Sequence, residues 1–281
     1  MNTYEGWEEA VGVGATPIPQ IITGAASGSW WSGNLNDDSI PMAYQRLGGP
    51  RGFLVIEFDG NTFKDRFKAT GKPMDKQLTV DFLSPTFNEW YASMLMWLQA
   101  GSVGTPPVNI NELPDTAILT EADMSGGTHI VANVWNGTRD SKVMARINDG
   151  EWIAMERTQQ GAGEGFVDKI DSYAIRQQMY VFRFAARSTT GTTDIPSGAQ
   201  TQGFRLFGDA RFGPADPQSL PKWMLADQSN HLWAVELPGD LPHGAHKLTV
   251  KTADRFGREF YETKLFEVRD QRPPAGWNGG F

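Results

Sequence analysis

Nine residues decide the fold of this chain: His246-Lys247-Leu248-Thr249-Val250-Lys251-Thr252-Ala253-Asp254. Apolar and polar side chains alternate along them, which is typical of a strand with one buried face. The turn Arg255-Phe256-Gly257-Arg258 follows, and residues 259–268 and 231–237 supply strands on either side. Short strands separated by turns at this spacing predict an antiparallel β-sandwich of the immunoglobulin-like type.

The strand pattern extends toward the N-terminus. Residues 53–58 and 62–68 are predicted to form a hairpin because Asp59-Gly60-Asn61 joins them, and Asp-Gly is a strong hairpin signal. A helix is predicted over 88–99, where Trp90, Met94 and Trp97 recur at helical spacing and form a core stripe. Further strands are predicted at 77–82, 128–135, 141–147, 152–155 and 179–186.

Glycine and proline mark the predicted domain boundary, in the run Gly-Ser-Val-Gly-Thr-Pro-Pro at 101–107. Because most of the predicted elements are strands, we expect a fold of the mainly β class. We expect a small β-rich (α+β) N-terminal part at 1–102, an antiparallel immunoglobulin-like β-sandwich at 103–270 and a loose tail at 271–281.

Composition narrows the function classes. The chain has 281 residues and a net charge of −8, and it shows no basic run, which argues against a nucleic-acid partner. It has no cysteine, so disulfides, thiolate zinc sites and a cysteine nucleophile are excluded. The N-terminus does not resemble a signal peptide, and no apolar run is long enough to span a membrane.

One segment stands out as a candidate contact surface, Ile21-Ile22-Thr23-Gly24-Ala25-Ala26-Ser27-Gly28-Ser29-Trp30-Trp31-Ser32-Gly33. Neighbouring strand side chains face opposite sides, so one indole would be buried and the other exposed. Alternatively, both rings pack on a covered sheet. The predicted ligand or interdomain contact residues are Trp30, Trp31, Asn34 and Asp37. Asp37 and Asp38 together offer too few oxygens for a calcium site.

No set of catalytic residues is evident in the sequence. Metal-protease, phosphate-loop and serine-nucleophile motifs are absent. The spacing of His243 and His246 could suit a metal, but residues three apart in a strand face opposite sides, so no metal site is predicted there. His129 and His231 begin strands and are interpreted as ordinary edge residues.

Several motifs resemble the C-terminal region of bacterial calcineurin-like phosphoesterases, which belong to the metallophosphoesterase family. The resemblance covers about residues 17–268 and rests on the segments Thr23–Gly33, Ile40-Pro41, Gly48-Gly-Pro-Arg-Gly52-Phe53, Phe58-Asp59-Gly60-Asn61, Phe67-Lys68-Ala69-Thr70-Gly71, Val134-Trp135-Asn136 and Leu232-Trp233, with the closing run through Pro242, Ala253-Asp254-Arg255-Phe256-Gly257-Arg258 and Phe266-Glu267-Val268.

In that family a catalytic domain precedes this region and binds two divalent metals through Asp-x-His, Gly-Asp-x-x-Asp, Gly-Asn-His-Glu and Gly-His-x-His motifs. None of them is present here, so the resemblance carries over no catalytic residue and implies no cofactor in this chain. It implies a metallophosphoesterase catalytic domain as partner, in cis or in trans, and a periplasmic or extracellular location.

Three functions remain open. The first is a non-catalytic accessory region that buttresses a catalytic domain; it predicts exposed apolar surface around 21–58 and 78–98. The second is a stand-alone carbohydrate- or protein-binding module. The third is an enzyme in its own right, which requires a constellation that the sequence does not show.

Overall fold

The computed structural model describes residues 5–6, 19–20, 48–99, 114–138, 140–158, 170–175 and 232–273. The helices are α1 (Pro85–Gln99) and α2 (Glu121–Ser125). The strands are β1 (Glu5–Gly6), β2 (Pro19–Gln20), β3 (Gly52–Asp59), β4 (Thr62–Ala69), β5 (Leu78–Leu83), β6 (Ile118–Thr120), β7 (His129–Val134), β8 (Lys142–Ile147), β9 (Ile153–Arg157), β10 (Leu232–Glu236), β11 (Gly244–Ala253) and β12 (Glu259–Arg269). The prediction of a mainly β fold is confirmed.

Eight strands form one sheet, in the order β5-β7-β10-β9-β8-β11-β12-β6. The pairs are antiparallel except β12 with β6, which are parallel. The edge strand β5 packs against β12 near the other edge, so the sheet folds back on itself into two layers. Between the layers, the ring centroids of Phe82 and Phe266 lie 4.7 Å apart.

Strand alternation explains the core. In β11 Leu248 and Val250 are fully buried, whereas the neighbouring Lys247 is exposed on the outer face. Ion pairs close the seam between β5 and β12: Lys264 Nζ lies 2.6 Å from Asp81 Oδ1, and Lys76 pairs with Glu262. The seam therefore joins the two layers through charged groups at its rim and through aromatic packing within.

The predicted hairpin is confirmed as β3 and β4, which pair from Gly52 with Ala69 to Asp59 with Thr62. The predicted helix is also confirmed as α1, although it begins earlier, because Ser84 accepts a hydrogen bond from the Phe87 amide and caps the first turn. Trp90 and Met94 are buried, as the stripe predicts.

Four short elements were not predicted. β1 and β2 have two residues each and pair with each other, and β6 has three residues and pairs in parallel with β12, all too short for a periodic pattern. α2 begins with a capping box in which Thr120 and Asp123 bond each other's backbone amides, and the Thr-x-x-Asp sequence is the signal that could have revealed it.

The large sheet crosses the predicted domain boundary. β5 precedes residue 102 and pairs along its whole length with β7, which follows it. The linker at 101–107 and the predicted strand at 179–186 lie outside the described residues. The division into domains and the immunoglobulin-like order of connections stay predictions, since residues 176–231 between β9 and β10 are not described.

Neither α1 nor α2, the helices of the described residues, combines the length and the hydrophobicity that a membrane span requires.

Candidate functional sites

The contact residues predicted from the sequence, Trp30, Trp31, Asn34 and Asp37, lie outside the described residues, and so does His231. They stay predictions. The structure instead brings together polar side chains at three places: a small cavity beside β5 and β7, the junction of the hairpin with the large sheet, and an exposed group beside α2.

The cavity has a volume of about 130 Å³ and lies between β5, β7 and the segment 170–175. Asp171 is its most buried carboxylate. Asp171 Oδ2 accepts a hydrogen bond from Asn133 Nδ2 at 2.9 Å, and Oδ1 accepts one from the Ala174 amide at 2.7 Å. Asp81 accepts hydrogen bonds from the hydroxyl groups of Ser172 and Thr116. These bonds fix the segment 170–175 on the outer face of β5 and β7.

A glycine covers Asp171. Gly48 has a φ of +75°, and a Cβ atom at this position would lie 2.3 Å from Asp171 Cγ. Only glycine suits this backbone conformation and this close approach. Gly48 belongs to one of the segments that carry the family resemblance, so that motif has a structural reason.

Burial raises the pKa of Asp171 to about 6, and the neighbouring Asp81 carboxylate adds to the rise, while hydrogen bonds from Asn133 and Ala174 lower it. The folded protein therefore holds this proton more tightly than the unfolded chain, in which the pKa is 3.8. The stabilisation is complete below pH 3.8 and is lost as the pH rises through 6.

Stability is expected to fall between pH 4 and pH 7 because of Asp171, by about 3 kcal/mol in free energy of unfolding for a pKa raised by this much. Asp171→Asn should remove this part of the pH dependence, since asparagine does not titrate. Urea denaturation across this range measures it, with Asp75→Asn at an exposed position as control. An equal slope in wild type and Asp171→Asn would contradict the assignment.

At the second place, Asp65 on β4 is 1% exposed and joins the hairpin to the large sheet. Arg255 Nη2 donates to Asp65 Oδ1 at 2.6 Å, and Asn136 Nδ2 donates to Oδ2 at 2.6 Å. Arg258 donates to the main-chain carbonyl of Asp65. We call these four residues the Asp65 cluster.

Apolar packing lies next to the Asp65 cluster. Phe67 and Trp135 meet edge to face, with ring centroids 6.0 Å apart, and Leu54 and Ala69 pack against them. A two-stranded hairpin is only marginally stable alone. This apolar group therefore helps to hold the hairpin against the large sheet. Phe67, Trp135 and Asn136 all come from segments that carry the resemblance, as do Arg255 and Arg258 in the turn after β11.

Beyond this contact, the end of the hairpin exposes apolar side chains. Ile56, Phe58 and Phe63 share the face of Asp65, and we call them the hairpin tip. Phe58 is 77% exposed and Ile56 is exposed, while the rings of Phe58 and Phe63 have centroids 6.2 Å apart. Phe53 and Met96 are exposed too, so the expected apolar surface around 21–58 and 78–98 is present in part, with 21–47 outside the described residues.

The third place is an exposed group of Glu121, His243 and Asp270 beside a surface cavity of about 440 Å³. Glu121 Oε1 lies 2.9 Å from His243 Nε2, and Asp270 Oδ1 lies 3.2 Å from Nδ1. Their oxygen and nitrogen atoms lie within 4.8 Å of one another, so these residues could hold one divalent metal ion.

His246 contributes nothing to that group. It is buried and stacks on Phe266, with Nε2 donating to the Pro242 carbonyl at 2.8 Å and Nδ1 within 3.0 Å of Asn148 Nδ2. The two histidines of the His243-Gly-Ala-His246 sequence therefore have separate partners. His129, the other described histidine, bonds the Gly127 carbonyl through Nδ1.

The described residues do not fit a two-metal centre of the phosphoesterase kind. Such a centre holds two ions about 3.5–4 Å apart between many ligands, whereas the exposed group offers one imidazole and two carboxylates, with both imidazole nitrogens already facing carboxylates.

Several residues that carry the family resemblance meet where the hairpin joins the large sheet. Comparison with protein families supports that resemblance. The family model described as the C terminal of Calcineurin-like phosphoesterase matches residues 21–190, which is more than half of the chain. The chain belongs to this family. No curated protein and no solved structure matches this chain.

The match shows which part of a phosphoesterase this chain corresponds to. It includes the hairpin, β5, α1 and the strands through β9, and its residues supply Asp65 and Asn136. Sequence analysis of this C-terminal region did not reveal the Asp65 cluster, because Asp65 and Arg255 are 190 positions apart and neither lies in a catalytic motif.

Proposed function

We propose that this chain is a non-catalytic accessory region that docks on a calcineurin-like metallophosphoesterase catalytic domain and buttresses it. The observation that carries the proposal is the hairpin tip, an exposed apolar surface on a hairpin that the Asp65 cluster holds in a fixed orientation. Exposed contiguous apolar side chains on a soluble domain mark protein contact surfaces. The family match supports the choice of partner, since it describes the C-terminal part of such an enzyme.

If the catalytic domain docks on the hairpin tip, the contact buries the side chain of Phe58. Phe58→Asp places a charge in the contact, so we expect binding to a family catalytic domain, followed by calorimetry, to weaken at least about tenfold. Leu265→Asp is the matched control, because Leu265 is 69% exposed on a different surface. Equal losses in both variants, or no binding by the wild type, would sink the proposal.

The accessory role also predicts that the chain alone is inactive. With Mn²⁺ and aryl phosphate monoesters and diesters, we expect no turnover above that of the buffer. The exposed group is the most direct challenge to this expectation. Metal-dependent turnover that disappears in His243→Ala would show a catalytic metal at Glu121, His243 and Asp270, and the chain would then be an enzyme.

A further inference from the structure

The outer face of β8, β11 and β12 carries charge in an ordered pattern. Lys142 pairs across the strands with Ala253, and Arg146 pairs with Thr249. On the other side of β11, Lys251 pairs with Tyr261 and Lys247 pairs with Leu265. Because side chains two apart share a face, all four cations lie on the outer face, opposite the core.

The register places these cations in successive rows. Along β11 the rows at 253, 251, 249 and 247 hold Lys142, Lys251, Arg146 and Lys247 in turn, alternately on β8 and β11. Each row advances about 6.7 Å, and the two strands lie about 4.8 Å apart. The four side chains thus form a zigzag line about 20 Å long, which we call the cation stripe.

Aromatic side chains accompany the cation stripe. The Trp152 ring centroid lies 4.6 Å from Arg146 Cζ and 4.6 Å from Lys251 Nζ, so one indole holds two neighbouring cations in place. Tyr261, beside Lys251, is 51% exposed. The line of charge therefore has an accessible ring at its side and a fixed arrangement at its centre.

The cations of the stripe are available to a partner. Two carboxylates on the same face are occupied: Glu259 accepts from the Tyr261 hydroxyl at 2.6 Å, and Glu267 pairs with Arg269 at 3.0 Å. Among the residues that the structure describes, no carboxylate forms an ion pair with a stripe cation, although Glu156 lies on the same face near Lys142. In a chain of net charge −8, this face is locally positive.

We propose that the cation stripe binds a linear anionic polysaccharide, with the acidic groups of successive sugars on the stripe cations and a sugar ring on Tyr261. A row of cations suits a chain-like anion, and charge-assisted hydrogen bonds to carboxylate or sulfate supply the attraction. Exposed tyrosine offers an apolar face with a polar edge, as a sugar ring requires. This inference does not rest on the proposed function, since the hairpin tip is a different surface.

The pattern favours a polysaccharide over duplex nucleic acid. Duplex DNA carries one negative charge per about 1.7 Å of axis, far denser than cations that advance about 6.7 Å at a time. Single strands are bound by stacking bases on successive free aromatic faces, but Trp152 already contacts two cations of the stripe.

The test is a titration of the whole chain with polygalacturonate and heparin, followed by calorimetry or fluorescence. We expect binding that weakens as the ionic strength rises from about 0.05 to about 0.5 M. Lys251→Glu and Lys247→Glu should each weaken binding at least about tenfold, and Tyr261→Ala several-fold. Lys64→Glu changes the net charge equally at an exposed position on the hairpin and should stay within about twofold.

Several outcomes would overturn the inference: equal binding of a neutral dextran, equal losses in Lys64→Glu and Lys251→Glu, or tighter binding of single-stranded DNA or of anionic lipid vesicles than of either polysaccharide. Absence of binding to both anionic polysaccharides would overturn it as well. Far-ultraviolet circular dichroism confirms that each variant is folded, so that a loss of binding reports on the stripe.

Discussion

Asp65→Ala is expected to lower the free energy of unfolding by about 3–5 kcal/mol, because it removes a buried carboxylate from its ion pair with the half-buried Arg255 guanidinium. Arg255 Nη2 and Asn136 Nδ2 each lose an acceptor at 2.6 Å. The hairpin should then separate from the large sheet before the sheet itself unfolds, since it keeps only the small apolar group around Phe67 and Trp135 and main-chain contacts such as the hydrogen bond from Arg258 to the Asp65 carbonyl. Urea denaturation measures the loss.

Hydrogen exchange locates the effect. Amides of β4 should lose protection in Asp65→Ala, while those of β11 keep theirs at low denaturant. Glu57→Ala, at an exposed position of the same hairpin, is the control and should change stability by less than about 0.5 kcal/mol. In a double-mutant cycle with Arg255→Ala the losses should not add, because the two side chains share one contact. Strict additivity would mean that the ion pair does not hold the hairpin.

Asp123→Ala should cost a similar amount, about 3–5 kcal/mol, at neutral pH. Asp123 is 1% exposed and connects three segments: its Oδ1 accepts from the Thr86 amide of α1 at 3.0 Å, and its Oδ2 accepts from Thr120 at 3.0 Å and from Arg272 Nη2 at 2.8 Å. Loss of the carboxylate removes the cap of α2, one partner of the first turn of α1 and the ion-pair partner of Arg272 together.

The pH dependence of Asp123 has the opposite sign to that of Asp171. Burial by itself raises the pKa of Asp123, but hydrogen bonds from Thr86 and Thr120 and the charge of Arg272 outweigh it and lower the pKa from 3.8 to about 2. The carboxylate therefore stabilises the fold above pH 3.8, and this is lost as the pH falls through 2.

The difference in stability between wild type and Asp123→Ala should consequently shrink by about 2 kcal/mol on acidification from neutral pH to about pH 2. Acid and urea titrations of both proteins test this, with Asp240→Ala, an exposed carboxylate, as the control. A difference that stays constant over this range would show that Asp123 does not act through its charge.

Asp65, Asp123 and the cation stripe share a physical feature. Each is assembled from residues that are far apart in the sequence: Asp65 bonds Arg255, and Lys142 lies on the same face of the sheet as Lys251. The basic residues of the stripe do not form a run in the sequence, so their common face becomes evident only when β8 is paired with β11. A test with nucleic acid and with polysaccharide on that face also tests the prediction that nucleic acid is not a partner.

Local patterns in the sequence determined the elements themselves. Asp59-Gly60 specified the hairpin because its turn geometry is intrinsic to those residues. Alternation in β5 and β11 specified strands with one buried face, and the apolar stripe of α1 specified a helix. The family resemblance could also be established from residues alone, since it depends on motif sequence and not on contacts.

Tertiary structure decided which of these elements meet. β6 pairs in parallel with β12 over three residues, and a strand this short shows no periodic pattern of apolar residues in the sequence. The placement of β5 in the large sheet, the burial of Asp65 and Asp123, and the row order of the cation stripe all follow from long-range register. Strand alternation fixes which side of a strand a residue faces, but the energy of a contact depends on a partner that only the folded chain brings within reach.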